Sequence, residues 1–273
     1  MSTLSDLPAG TVVDAPEPFV GDDGVEVVGL EVVDSRLVGR EGGFLGLRRM
    51  RLRVVRGDGT RSAEILNDFV ERPKGLDAVA VAIWARGTGG GGAVAEGAGG
   101  GGGADDEGGG GGLGGVQVLV RQGMRPTIFF GRAPEQLVVP DPARRLFVAE
   151  VVAGIVEVAD RGEAGLRRRA AAEVEEEAGY VVAPEAVVLL GGGVLLSPGA
   201  MSERCFLAAV EVDPAARVAH IQGDGSPMED GARSRWWGLD DAIAACTRGE
   251  LDDAKTELAL RRLRDHLSGV ASR

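Results

Sequence analysis

Histidine, cysteine and tyrosine are scarce in this 273-residue chain, which holds two, two and one of them. Cys205 and Cys246 form no CxxC pair, so no disulfide framework is expected, and the reducing cytoplasm is the expected compartment. His220 and His266 have no partner motif, which argues against both a histidine-based catalytic triad and a His/Cys zinc site. Long apolar runs are missing too. The longest, "AVVLLGGGVLL", is far too short to span a bilayer, so no membrane association is expected. The first residues, "MSTLSDLPAG", lack the basic region and apolar stretch of a signal peptide. Positive charge is in deficit, 30 Lys and Arg against 42 Asp and Glu, for a net charge of -12. Neutralising a phosphate backbone needs a basic face, so nucleic acid is not an expected partner. Small anions remain accessible through local arginines or a divalent cation.

What the chain does have is apolar residues, 44% of the total, enough for a packed core. Residues 26–70 read as short strands with turns, the run "RLRVV" alternating before Gly57-Asp58-Gly59, a hairpin signal. This predicts a small antiparallel N-terminal domain over residues 1–72, its first 20 or so residues flexible. A larger domain follows over 73–273. It opens with the strand "LDAVAVAIWA" and then a tract from Gly87 to Gly115 that holds 18 of the 45 glycines. Such a segment buries too little apolar surface to offset its ordering entropy, so a disordered loop is expected. The strand "VLVRQ" follows it, and the two strands are expected to pair as a hairpin with an expanded loop. Further strands and helices alternate irregularly to the end, with a final helix in "DAKTELALRRLRDHL". The predicted class is α+β, a mixed sheet sandwiched by helices.

The stretch "AAAEVEEEAGY" crowds Glu173, Glu175, Glu176 and Glu177 into five positions. A helix is expected from about Glu163 to Ala178, ended by Gly179. Residues three and four apart share a face, so Glu173, Glu176 and Glu177 project together while Glu175 points elsewhere. Acidic groups in a last turn also oppose the helix dipole. A hard divalent cation among them would reverse the repulsion. On the helix alone a solvated acidic face balanced by Arg167, Arg168 and Arg169 is an equal alternative.

The segment before the helix, "EVVAGIVE", leads a strand into Gly154 and a loop, and here the sequence resembles the Nudix hydrolase family. That family's box reads G-x5-E-x7-R-E-U-x-E-E-x-G-U, with U a bulky apolar residue. Gly154, Glu173, Val174, Glu176, Glu177, Gly179 and Tyr180 match it. Two spacings are longer than the pattern, with "VADRG" a site for a loop insertion, and Ala172 stands where the box has arginine. Arg169, one turn earlier, is the candidate to orient a glutamate in its place.

Three further segments resemble the ADP-ribose and nucleotide-sugar pyrophosphatases of that family: "LSPGAMSERCFLAAVEV", "VLVRQGMRP" and "WWGLDDAIAACTRGELDDAKTELALRRL". The resemblance implies a Nudix-type fold, a homodimer, and hydrolysis of the diphosphate bond of ADP-ribose or a UDP- or GDP-sugar. The products would be a nucleoside monophosphate and a sugar phosphate. It implies magnesium, or manganese in its place, held by Glu173, Glu176, Glu177 and the backbone carbonyl of Ala153. It makes Glu203 and Glu177 catalytic, with Glu203 accepting a proton from water. Arg72 and Arg125 are the candidate diphosphate contacts, since a planar guanidinium can bond two oxygens at once. Trp236 and Trp237 are candidates for base stacking, though core packing suits them better. Ala172 and the stretched box favour an alternative, a Nudix-fold module that binds or senses a nucleotide sugar without catalysis.

Overall fold

The computed structural model describes residues 7–20, 24–38, 45–72, 76–87, 115–132, 137–139, 145–218 and 232–269. Most of the glycine tract, residues 88–114, lies outside them, as do residues 1–6 and His220. The chain divides into two compact units, one of residues 1–77 with 195–204, the other of 78–194 with 205–273. The segment 195–204 thus belongs with the N-terminal residues, where a single boundary near residue 72 assigns it to the larger domain.

The first unit is a four-stranded antiparallel sheet in the order β1 (Val12–Val20), β2 (Glu26–Val38), β3 (Gly46–Arg56), β4 (Ile65–Glu71). Strand β1 falls within the segment expected to be flexible. The hairpin after β3 turns at Gly59, whose φ of 83° suits only glycine, and the Asp58 carboxylate accepts from the Thr60 amide at 2.9 Å. Register sorts the side chains onto two faces. Met50, Leu52 and Val54 stand opposite Ser35, Val32 and Leu30 on one. On the other, Arg49 pairs with Asp68, and Arg51 and Arg53 with Glu64. The apolar face buries Val32 and Met50 but leaves Leu30, Leu37 and Ile65 exposed.

The second unit is a mixed eight-stranded sheet with helices on both faces. Its spine runs β10 (Val194–Leu195), β11 (Arg204–Glu211), β5 (Ala78–Arg86), β6 (Val116–Met124), β12 (Arg233–Gly238). Strands β5 and β6 pair antiparallel beside the glycine tract, as expected of a hairpin, but only from Trp84 to Arg86. Beyond that they diverge, and one run of chain fills the gap. β7 (Phe147–Glu150) pairs with β6, then β8 (Val152–Ile155) pairs with β5. The short β9 (Val188–Leu189) pairs with β11. Alternation along β5 feeds two cores. Ala80, Ala82 and Trp84 pack with α3 (Leu239–Arg248) and α4 (Ala254–Leu267) on one face. Val79, Val81 and Ile83 pack with α2 (Gly162–Ala178) on the other. Trp237 joins the first core and Trp236 the second, where its ring meets Tyr180 edge to face at 6.3 Å, so both tryptophans are packing residues. A short helix, α1 (Pro126–Gly131), follows β6 with Pro126 in its first turn. Among the described residues no helix is long and apolar enough to cross a membrane.

Candidate functional site

Helix α2 is placed by an apolar stripe at helical spacing. Leu166, Ala170, Val174 and Ala178 are all buried against the sheet, and the small Ala170 and Ala171 allow close approach. The stop is local. Gly179 takes the left-handed conformation at φ 74°, its amide donates to the Glu175 carbonyl at 3.0 Å, and the Tyr180 amide donates to the Val174 carbonyl at 3.3 Å. With the stripe fixed, the four glutamates meet different surroundings. Glu173 adjoins the stripe and is 5% exposed, Glu175 is exposed, and Glu176 and Glu177 lie between.

The Glu173 side chain lies against the backbone of Gly154 in β8. A Cβ added to Gly154 would sit 1.6 Å from Glu173 Oε1, 2.0 Å from its Cδ and 2.7 Å from its Cγ. Only glycine leaves room for that carboxylate, which ties the strand to the helix across the intervening loop. Arg169 holds the same group. Its Nε donates to Glu173 Oε1 at 2.8 Å, and its Nη2 contacts Glu173 Oε1 and lies 3.4 Å from Glu176 Oε2. Burial alone would lower the Arg169 pKa, but the carboxylates of Glu173, Glu176 and Glu157 outweigh it and raise it above the ordinary value. Glu177 Oε1 lies 3.9 Å from Nη1 of Arg121, a buried arginine of β6. The positive charge that the crowded glutamates require is thus supplied by two guanidiniums of the chain itself.

A second charged group lies where the inserted run changes partner. Glu150, the last residue of β7, is 4% exposed and stands opposite Arg121 in the ladder. The amide of the next residue, Val151, leaves the ladder and donates to Thr256 Oγ1 at 2.9 Å. Thr256 is in turn fixed by Asp253, the N-cap of α4, whose Oδ2 accepts from the Thr256 amide at 3.0 Å and its hydroxyl at 2.6 Å. Between them Lys255 reaches Glu150 Oε2 at 2.5 Å and Asp253 Oδ1 at 2.9 Å. Burial opposes the Lys255 charge, yet Glu150 and Asp253 prevail and raise its pKa. The other Glu150 oxygen is bound by Arg125 Nη2.

In the first unit Arg72 and Glu203 pair directly, each mostly buried. Leu45, Val70, Leu76 and Met201 wall a shallow pocket around them. The amide of Val70 donates to the Ala200 carbonyl at 2.8 Å, which fixes the segment that carries Glu203 to β4.

The structure therefore brings together Glu173, Glu176 and Arg169, sets Gly154 beneath them, and places the carbonyl-bearing Ala153 next in the same strand, opposite Ala80. Glu177 turns to Arg121 instead. Carboxylate oxygens suit a hard cation chemically. Their arrangement does not, since Arg169 spans two of them and, among the described residues, no three His, Cys, Asp or Glu side chains converge to hold a metal. Sequence reasoning passed over Arg121, Glu150 and Lys255. The available signal was a single charged residue in each of the apolar runs "VLVRQ" and "FVAEVV". No family model matches the chain, and no curated protein proved similar to it.

Proposed function

We propose that the chain is a Nudix-type hydrolase that splits the diphosphate of a nucleoside diphosphate sugar, ADP-ribose or a UDP- or GDP-sugar. One observation carries the reading: a strand, a loop and a helix set a buried glutamate, Glu173, on a glycine, Gly154, that has no room for a side chain. The residue types that the family resemblance joins in sequence, this glycine and this glutamate, are in contact in space. Arg125 supports the reading as a partly exposed guanidinium in the same unit, suited to a diphosphate oxygen. The resemblance gives Glu203 the role of proton acceptor and Arg72 that of a second diphosphate contact. Magnesium is the cofactor the resemblance implies; Glu173, Glu176, Glu177 and the Ala153 carbonyl would hold it only with Arg169 released from Glu173 and Glu176, and it would supply charge neutralisation for the diphosphate. A homodimer is part of the proposal, supported by the exposed Leu30, Leu37 and Ile65 on the apolar face of the first unit's sheet. The cytoplasm is the proposed compartment.

A second reading is favoured by the pairing of Arg169 with both Glu173 and Glu176, and by Ala172. With Glu173 and Glu176 already sharing Arg169, the unit would bind a nucleotide sugar without cleaving it. The deciding experiment offers ADP-ribose, UDP-glucose and GDP-mannose with and without magnesium, following product release and calorimetric binding. Magnesium-dependent release that is lost in Glu177→Gln while binding persists supports the hydrolase. Binding without release under any condition supports the module. Neither binding nor release refutes both.

A further inference from the structure

The Glu150 group has features that a simple structural ion pair would not need. Its carboxylate is buried, and it holds two cations, one at each oxygen. Behind it, Lys255 is anchored a second time by Asp253, and Asp253 is itself locked as the N-cap of α4. In front, Arg125 is bound through Nη2, while its Nη1 donates to the Met124 carbonyl at 3.1 Å. Held at these points, the Arg125 side chain still remains 39% exposed. Arg121 approaches from the same side. A Cβ on Gly123 would meet Arg121 Nη1 at 3.2 Å, Glu150 Oε1 at 3.7 Å and Arg125 Nη1 at 3.8 Å. Gly123 thus lies beside the Glu150 carboxylate and both guanidiniums, and a side chain there would crowd Arg121 most.

We propose that Glu150 is a positioning residue: backed by Lys255, it fixes the Arg125 guanidinium so that its exposed side is pre-organised for a phosphate oxygen of a diphosphate ligand. The inference rests on the proposed function only for the identity of the ligand. A long arginine side chain loses much rotamer freedom on binding, and a buried carboxylate that removes that freedom beforehand strengthens the later contact. Glu150 touches no ligand itself. Its effect passes through Arg125, and this separates it from a residue that merely supports the fold.

The test titrates inorganic pyrophosphate, with and without magnesium, into the full-length protein and its Glu150→Gln, Arg125→Lys and doubly substituted variants. Glu150→Gln should weaken pyrophosphate binding about tenfold, the scale of one charge-assisted hydrogen bond, and Arg125→Lys by a similar factor. The double variant should bind no more weakly than Arg125→Lys alone, because Glu150 acts only through that arginine. Lys255→Met should weaken binding in the same non-additive way. On any sugar nucleotide that is hydrolysed, Glu150→Gln should raise KM and leave kcat within about twofold. Unchanged affinity in Glu150→Gln overturns the inference. So do losses that multiply in the double variant, or a wild-type protein that does not bind pyrophosphate. If Glu150→Gln fails to fold, Glu150→Asp, which keeps the charge and shortens its reach, decides through the same cycle. Wild-type protein that binds pyrophosphate but hydrolyses nothing refutes the hydrolase and leaves the positioning role standing.

Discussion

Replacing Gly154 with alanine tests the contact on which the candidate site is built. The new methyl would fall 1.6 Å from Glu173 Oε1 and 2.7 Å from Cγ, so the whole end of the side chain must leave. The Glu173 carboxylate is buried and is held by Arg169. Breaking a buried pair by deleting a partner costs about 3–5 kcal/mol, and overpacking a full site about 1–3 kcal/mol. The low end applies, because Glu173 is displaced rather than deleted and Arg169 keeps Glu176. Gly154 has no positive φ, so alanine also returns about 0.5–1 kcal/mol through a less flexible unfolded chain. The expected net loss is about 3 kcal/mol, or about 6–12 °C in Tm for a unit of this size. Trp84, Trp236 and Trp237 are the protein's three tryptophans and all lie in the second unit, so fluorescence during urea unfolding reports on that unit. The control is the same substitution beside Glu173→Ala. With the obstructing side chain gone, Gly154→Ala should cost nothing and even stabilise slightly. An equal cost in both backgrounds, or no cost in the first, would refute the packing of Glu173 on Gly154.

Gly179→Ala places a side chain at φ 74°, and the second unit should lose about 1 kcal/mol in urea unfolding, with Gly179→Asn milder. Lys255→Met should destabilise that unit by about 3 kcal/mol near neutral pH, because it leaves Glu150 and Asp253 short of a buried partner. The pair also sets an alkaline limit. The folded Lys255 pKa is raised above 10.5, so its contribution is complete below that pH and is lost as pH rises through the folded value. Urea midpoints of wild type and Lys255→Met should therefore converge above about pH 10.5; a constant gap across the alkaline range would contradict the raised pKa.

The sequence was legible where local chemistry and tertiary packing agree. Strand β5 is apolar on both faces because helices cover both, and its run of small and branched residues says so directly. Helix α2 could be bounded because Gly179 both ends the pattern and takes the conformation that ends the helix. Strand β1 could not be found the same way. It carries Pro16 and Pro18, which speak against a strand, and it escapes that rule as an edge strand paired on one side, with its register broken between Asp14 and Phe19. The break at Val151 left no trace either. "FVAEVVAG" reads as one strand, and only the transfer of a single amide to Thr256 shows that it serves two neighbours. The site divides along the same line. Gly154, Glu173 and Arg169 sit in one short stretch, whereas Glu150 and Lys255 meet from 105 residues apart and Arg121 stands opposite Glu150 from another strand.

That division changes what the clustered glutamates mean. Crowding alone calls for a cation but does not say which. The chain meets the need internally, from Arg169 one turn earlier on the same helix and from Arg121 on strand β6. Three of the four carboxylates thereby face a guanidinium before any ligand arrives, two of them sharing Arg169, and Glu175 stands in solvent. A dication recruited to Glu173 or Glu176 has to compete with a guanidinium that is already mostly desolvated, so part of its binding energy goes to releasing Arg169. Arg125 is also paired, to Glu150, but its side chain remains 39% exposed, so an anion can approach it without displacing that carboxylate. If the proposed hydrolase reading holds, this arrangement would admit the phosphate more readily than the metal, and a diphosphate that brings its own bound cation would fit the charge pattern better than a free metal ion would.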